Sequence, residues 1–145
     1  MIFLAEGLPD PSTFDQRVVP ESTKIYDRTG EILLYEIHGG EKRTIVGINE
    51  MSEYIIKTTL AAEDHNFYKH HGFSLKGFVR SMIHNLSNPG DLRGGSTITQ
   101  QLARNAFLTI DKTLVRKLRE AILTVKIEKT YSKNQILEMY LNQIN

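Results

Sequence analysis

Ala62-Glu63-Asp64-His65-Asn66-Phe67-Tyr68-Lys69-His70-His71-Gly72-Phe73 is the stretch around which this 145-residue chain is read. Glu63, Phe67 and His70 stand at i, i+4 and i+7, so a helix through them carries an acid, an aromatic ring and a histidine on one face. A carboxylate beside an aromatic ring is partly desolvated, which suits a group that accepts a proton. Gly72 reads as the C′ glycine that closes this helix, which the pattern starts near Met51 and runs to His70. Glu63, His65, His70 and His71 do not have the paired histidines at i, i+4 that mark a zinc helix.

Working outward, Gly94-Gly95-Ser96-Thr97-Ile98-Thr99-Gln100-Gln101 opens another helix. Glycines let backbone amides approach an anion, and the helix start adds free N–H groups and a positive dipole end. Ser96 or Thr97 is the natural cap, and Gln100, Gln101 and Arg104 add donors. No lysine follows the second glycine in the frame of a nucleotide-binding loop. A third cluster holds Lys112, Arg116, Lys117, Arg119 and Glu120. Arg116 and Lys117 lie at i−4 and i−3 from Glu120, which surrounds that acid with opposite charge and leaves cations spare for phosphate. A base followed by a phosphate cradle points to transfer chemistry on a phosphorylated substrate.

Composition narrows the classes. Net charge is +1, with 40% hydrophobic and 24% charged residues, so an ordinary globular domain is expected, without a global field for nucleic acid. The basic cluster has no aromatic interleaving for base stacking, which also argues against nucleic acid. There are no cysteines, so neither a disulfide nor a thiolate metal site exists. No apolar run approaches the ~20 residues of a membrane span.

Prolines at 9, 11 and 20 mark residues 1–22 as an extended leader. Thr23 to Ile37 alternates in strand fashion about Asp27-Arg28-Thr29-Gly30, which predicts a hairpin closed by Gly39-Gly40, and Arg43 to Val46 adds a short strand. From Glu50 onward the pattern is helical. Ser74 caps a helix with Leu75, Val79, Met82 and Leu86 on one stripe, and Ser87-Asn88-Pro89-Gly90 breaks it. Thr97 to Leu108 follows, with Ile98, Leu102 and Ala106 as its apolar face. Thr113 caps a helix with Leu114, Leu118, Ala121 and Val125 at helical spacing. Ser132 and Gln135 form a capping box for the last helix. Lys126, Lys129, Lys133, Glu128 and Glu138 read as surface.

In order along the chain, Glu63 to Gly72, Gly94 to Gln101, Arg116 to Glu120 and Lys133 to Asn142 resemble the four successive motifs of the peptidoglycan glycosyltransferase domain, glycosyltransferase family 51. That domain occurs in class A penicillin-binding proteins and monofunctional transglycosylases. The resemblance covers residues 23–145 and implies a mostly α-helical, lysozyme-like lobe behind a small N-terminal β-hairpin, incomplete at the C-terminus. It implies that residues 1–22 follow a membrane anchor, that a fifth motif lies beyond Asn145, and that Ile136 and Tyr140 lack packing partners here.

The implied reaction is polymerisation of lipid II into glycan strands with release of undecaprenyl diphosphate. Glu63 is the implied general base, and Glu120 the second glutamate, near the diphosphate. Arg116 and Lys117 would stabilise leaving-group charge. Asp64, Phe67, His70, Gly95, Ser96, Thr97, Gln100, Gln101 and Arg104 complete the implied substrate site, with Arg104 standing where a lysine is more usual. A divalent cation, Mg or Mn, is the implied cofactor, with Glu120 as its one candidate ligand. Implied partners are lipid II, the growing glycan, the membrane and the cell wall synthesis machinery, at the extracytoplasmic face of a bacterial plasma membrane. A lysozyme-type glycoside hydrolase is the alternative enzyme, but it has no use for a diphosphate cradle; a non-catalytic interaction module is the other alternative.

Overall fold

A computed structural model describes residues 8–12, 23–37, 44–90, 94–108 and 113–143. Strands β1 (Thr23–Tyr26) and β2 (Leu33–Ile37) precede helices α1 (Glu53–Glu63), α2 (Leu75–Ser87), α3 (Ile98–Phe107), α4 (Leu114–Thr130) and α5 (Lys133–Gln143). The mostly α architecture with a small antiparallel hairpin agrees with the reading of the sequence. Expectations for Gly39-Gly40, Arg43, Asp91 to Arg93, Lys112 and residues 13–22 lie outside the described residues.

The hairpin pairs Thr23 with Ile37, Lys24 with Glu36 and Ile25 with Tyr35, then slips at a bulge so that Tyr26 faces Leu33. Its turn is built by Asp27, whose carboxylate accepts from the Thr29 hydroxyl at 2.7 and 2.8 Å and from the Glu31 and Ile32 amides at 3.2 Å. Gly30 supplies the left-handed backbone at φ +79°. Thr44 to Val46 form no strand. The Asn142 side chain engages the backbone of Val46 in their place, accepting from its amide at 3.1 Å and donating to its carbonyl at 2.9 Å. Glu138 accepts from the Ile48 amide at 2.8 Å, so this acid is tied to the chain before α1 rather than left to solvent.

The core lies where α3, α4 and α5 meet. Ile98, Leu102, Ala103, Leu123, Ile127, Ile136 and Leu137 are almost wholly buried, with Phe67 inserted from the preceding loop. Each large apolar side chain so buried contributes roughly 1.5–3 kcal/mol. Ile136 and Tyr140, expected to lack partners, are 0% and 3% exposed, because α5 closes directly on α3. Residues 8–12 join the same core: Leu8 packs against it, and the Tyr131 hydroxyl donates to the Pro11 carbonyl at 2.7 Å.

Two expected apolar stripes face outward. On α4 the buried residues are Glu120, Leu123, Thr124 and Ile127, whereas Leu114, Leu118 and Val125 are exposed. On α2, Leu75, Val79, Met82 and Leu86 share a stripe that is exposed along its whole length. Glu128 and Lys133, expected at the surface, pair at 2.8 Å in a largely enclosed position, and Thr99 donates to the same Glu128 oxygen at 2.5 Å. The Lys133 ammonium also sits 4.4 Å from the centre of the Phe67 ring.

Candidate active site

The helix through Glu63 is shorter than its apolar spacing suggests. Ser52 caps α1, and Asp64 ends it at φ −157°, ψ 75°. Asp64 leaves the helix because its carboxylate is drawn inward. It accepts from the Ile98 amide at 3.2 Å and meets His70 Nε2 at 2.9 and 3.0 Å, in a pair with both side chains nearly enclosed. Phe67 to Lys69 form a separate 3-10 turn. Glu63, Phe67 and His70 therefore do not share a helical face. Phe67 fills the core, His70 holds Asp64, and Glu63 is exposed at the end of α1, so no burial against the ring desolvates it.

Gly72 is no helix cap either. It stands at φ +84°, and an added Cβ would lie 2.6 Å from Thr124 Cγ2 and 3.1 Å from Glu128 Cγ. Both conformation and space demand glycine there. Its carbonyl accepts from the Thr97 hydroxyl at 2.6 Å, which welds the first motif to the start of α3.

Thr97, not Ser96, is the cap of α3, in a reciprocal box with Gln100. The Gln100 carbonyl oxygen accepts from the Thr97 amide at 2.9 Å, so this side chain turns back on its own helix. The amides of Thr97, Ile98 and Gln100 thus already have acceptors: Gln100, Asp64 and Thr97 respectively. Anion binding next to them falls to side chains. Gly95 sits against α2, where an added Cβ would be 3.4 Å from Phe78 Cα, and Ser81 donates to the Gly94 carbonyl at 3.0 Å.

A cleft of about 690 Å³ runs between the end of α1, the inner face of α2 and the Gly94–Thr97 loop. Glu63, Asp64, Gly95, Ser96, Thr97, Gln101 and Arg104 line it, as the sequence reading requires. Gln101 donates to the Glu63 carboxylate at 2.8 Å, which aims that acid across the opening. Arg80 of α2 also lines the cleft. Sequence reasoning missed it because its helix carries no motif, although a lone arginine on an apolar helix was a usable signal.

The charged cluster borders the cleft at Ser96, whose hydroxyl is 3.4 Å from the Lys117 ammonium. Glu120 is 1% exposed. Arg116 reaches one of its oxygens at 3.0 Å and Lys117 bonds to the other. Lys117 remains about half exposed, so it faces both Glu120 and the opening. Two cations against one buried carboxylate leave a net positive edge beside Ser96. Phe67, His70, Gln100, Arg116, Lys117 and Glu120 do not line the cleft; His70 and Gln100 brace Asp64 and Thr97, which do, and Lys117 borders it through Ser96.

Glu120 makes a poor metal ligand as it stands, with both oxygens engaged by cations. Among the described residues, no group of three or more histidine, aspartate or glutamate side chains could hold a metal ion. No helix among them is long and apolar enough to cross a membrane.

Comparison with known proteins identifies the family. The family model described as Transglycosylase matches residues 30–145. The chain is 43% identical over 144 residues to penicillin-binding protein 1A of Aquifex aeolicus, covering 99% of this chain and 20% of the relative. It is 43% identical over 146 residues to penicillin-binding protein 1F of Bacillus subtilis, again 99% and 20%. Identity reaches 47% over 126 residues with penicillin-binding protein 2D of the same organism, covering 87% and 18%. The chain spans about a fifth of the length of the curated relatives it matches. These matches show that the chain belongs to the transglycosylase family, the peptidoglycan glycosyltransferases of family 51.

Proposed function

We propose that this chain carries catalytic machinery of a peptidoglycan glycosyltransferase that polymerises lipid II at the outer face of the bacterial plasma membrane. The observation that carries the proposal is the arrangement of charge about one cleft. An exposed carboxylate, Glu63, stands on one wall, and the Lys117–Arg116–Glu120 cluster edges the other at Ser96.

An inverting displacement needs a base where the nucleophile arrives and positive charge where the leaving group departs. In the proposed step the acceptor's sugar 4-hydroxyl attacks the anomeric carbon of the lipid-linked chain. The new C–O bond forms as the bond to the diphosphate breaks, and the hydroxyl proton passes to Glu63. Lys117, Ser96 and Arg104 receive the diphosphate charge. Arg116 serves Glu120, which in turn holds Lys117 at the cleft edge. Asp64 and His70 fix the backbone on which Glu63 is mounted. A divalent cation would add charge neutralisation at the diphosphate if bound with the substrate, and no step here depends on it. A growing glycan, the lipid leaflet that carries the polyprenyl tails and the cell wall synthesis machinery are the corresponding partners.

Glu63→Gln keeps the shape and the Gln101 contact but cannot accept the proton. Turnover of fluorescent lipid II, measured in the longest native polypeptide carrying this sequence, is expected to fall by about 10³-fold or more, with lipid II binding retained. Full turnover by that variant removes Glu63 from the mechanism.

A further inference from the structure

Glu63 is not held by its own helix. It is the last residue of α1, it is exposed, and its one hydrogen bond among the described residues comes from Gln101 of α3. The Gln101 amide has a second partner, Tyr140 of α5, whose hydroxyl donates to its carbonyl oxygen at 3.2 Å. Tyr140 is 3% exposed and packed into the core with Ile136 and Leu137. Resting on the reading of Glu63 as the base, we propose that Tyr140 is a positioning residue: it sets the orientation of the Gln101 amide, and through it the aim and charge state of Glu63.

An ionised carboxylate only accepts, so Gln101 must present its NH₂ to Glu63. A glutamine on a cleft wall could present either end, and its two ends are almost the same shape. Tyr140 reinforces that choice: while its hydroxyl donates to the amide oxygen, the NH₂ end is left pointing at Glu63. The hydroxyl is a dependable donor in this place. Burial pushes its pKa above the usual tyrosine range, the nearby Glu63 carboxylate pushes the same way, and Arg104 pulls back. Tyr140 thus stays protonated throughout the working range of the base. The ring itself is anchored by the best-packed helices of the molecule, so the core's rigidity is handed to an exposed carboxylate through two hydrogen bonds. Charged and titratable groups around the relay are Arg104 on α3, Asp64 and His65 beside Glu63, and Arg80 across the cleft.

The test uses the longest native polypeptide carrying this sequence. The Glu63 carboxyl carbon is followed by NMR against pH in Tyr140→Phe, Gln101→Met and the double variant. Loss of the pinning hydroxyl frees the Gln101 amide to turn its NH₂ away from the charged carboxylate, so the Glu63 midpoint rises in Tyr140→Phe. It rises at least as far in Gln101→Met, and the double variant moves no further than Gln101→Met alone. In turnover, Tyr140→Phe lowers kcat roughly fivefold, leaves KM nearly unchanged and shifts the acid limb of the pH profile upward with the NMR midpoint. Should the phenylalanine variant fail to fold, 3-fluorotyrosine at position 140, a stronger donor, must move the midpoint down. A midpoint and acid limb unmoved by either change at Tyr140, or shifts that add in the double variant, overturn the relay. Glu63→Gln with full turnover beside a moved midpoint in Tyr140→Phe would leave the relay standing and remove only the base assignment.

Discussion

Helices α1 and α2 are built from more apolar sequence than α3 to α5, yet only the latter group buries its apolar residues fully. Apart from residues 8–12, the core positions named above belong to α3, α4, α5 or the Phe67 turn, whereas α1 and α2 bury no residue fully. The two candidate glutamates divide along this boundary. Glu120 lies inside the packed group, tied by two cations. Glu63 closes an outer helix and faces open cleft. The proposed anion-handling end of the site is therefore anchored in the core through Glu120, while the proposed proton acceptor is mounted outside it and tied back. Three links make that attachment: Asp64 to the Ile98 amide, Thr97 to the Gly72 carbonyl, and Gln101 to Glu63.

The contrast can be broken most severely at its hinge. Gly72→Ala forces a side chain into left-handed backbone and against Thr124, so it is expected to cost about 4 kcal/mol. Urea unfolding checks this, and a loss below about 1 kcal/mol would mean that the loop relaxes freely against α4. Thr97→Ala removes both the α3 cap and the bond to Gly72, for an expected loss of about 2 kcal/mol. The same variant should sharpen the contrast in hydrogen exchange: amides of residues 64–72 lose protection before those of α5 do.

Leu86→Ser on the outward stripe of α2 should change folding stability by less than about 0.5 kcal/mol, because that side chain is already exposed. A larger thermal shift would show that the stripe is covered in solution. The smallest effect belongs to the hairpin turn. The Thr29 hydroxyl, then the Ile32 amide, hold the Asp27 carboxyl below its ordinary value of 3.8. A depressed folded value means that the turn's extra order is present above the ordinary value and is lost as pH falls through the folded one. The Glu31 and Ile32 amide resonances should therefore titrate together with a midpoint below 3.8, without disturbing α3 to α5.

Some of this was legible because it is local. The hairpin follows from alternation about Asp27 to Gly30, and the helix starts follow from Ser74, Thr97, Thr113 and Ser132. Arg116 and Lys117 reach Glu120 because i, i+4 and i, i+3 neighbours meet on any helix. The motif spacing likewise carried the family. What was misread is nonlocal. Asp64 leaves α1 because an amide 34 residues away needs its carboxylate, and nothing in the helical period records that demand. On α4 both Leu114-Leu118-Val125 and Leu123-Ile127 repeat at helical spacing. Periodicity supplies a period but not which side a neighbour will cover.

Read alone, the chain determined where most of its helices start, its hairpin and the residue types available for transfer chemistry, because those depend on backbone preferences and neighbours within a turn. Only the tertiary structure decided that Glu120 is buried and Glu63 exposed, that Gln100 serves its own helix while Gln101 serves the cleft, and that a core tyrosine stands behind the acid. Those outcomes depend on which surfaces α3, α4 and α5 exclude from water when they pack, and on which buried polar groups must then find partners across the fold.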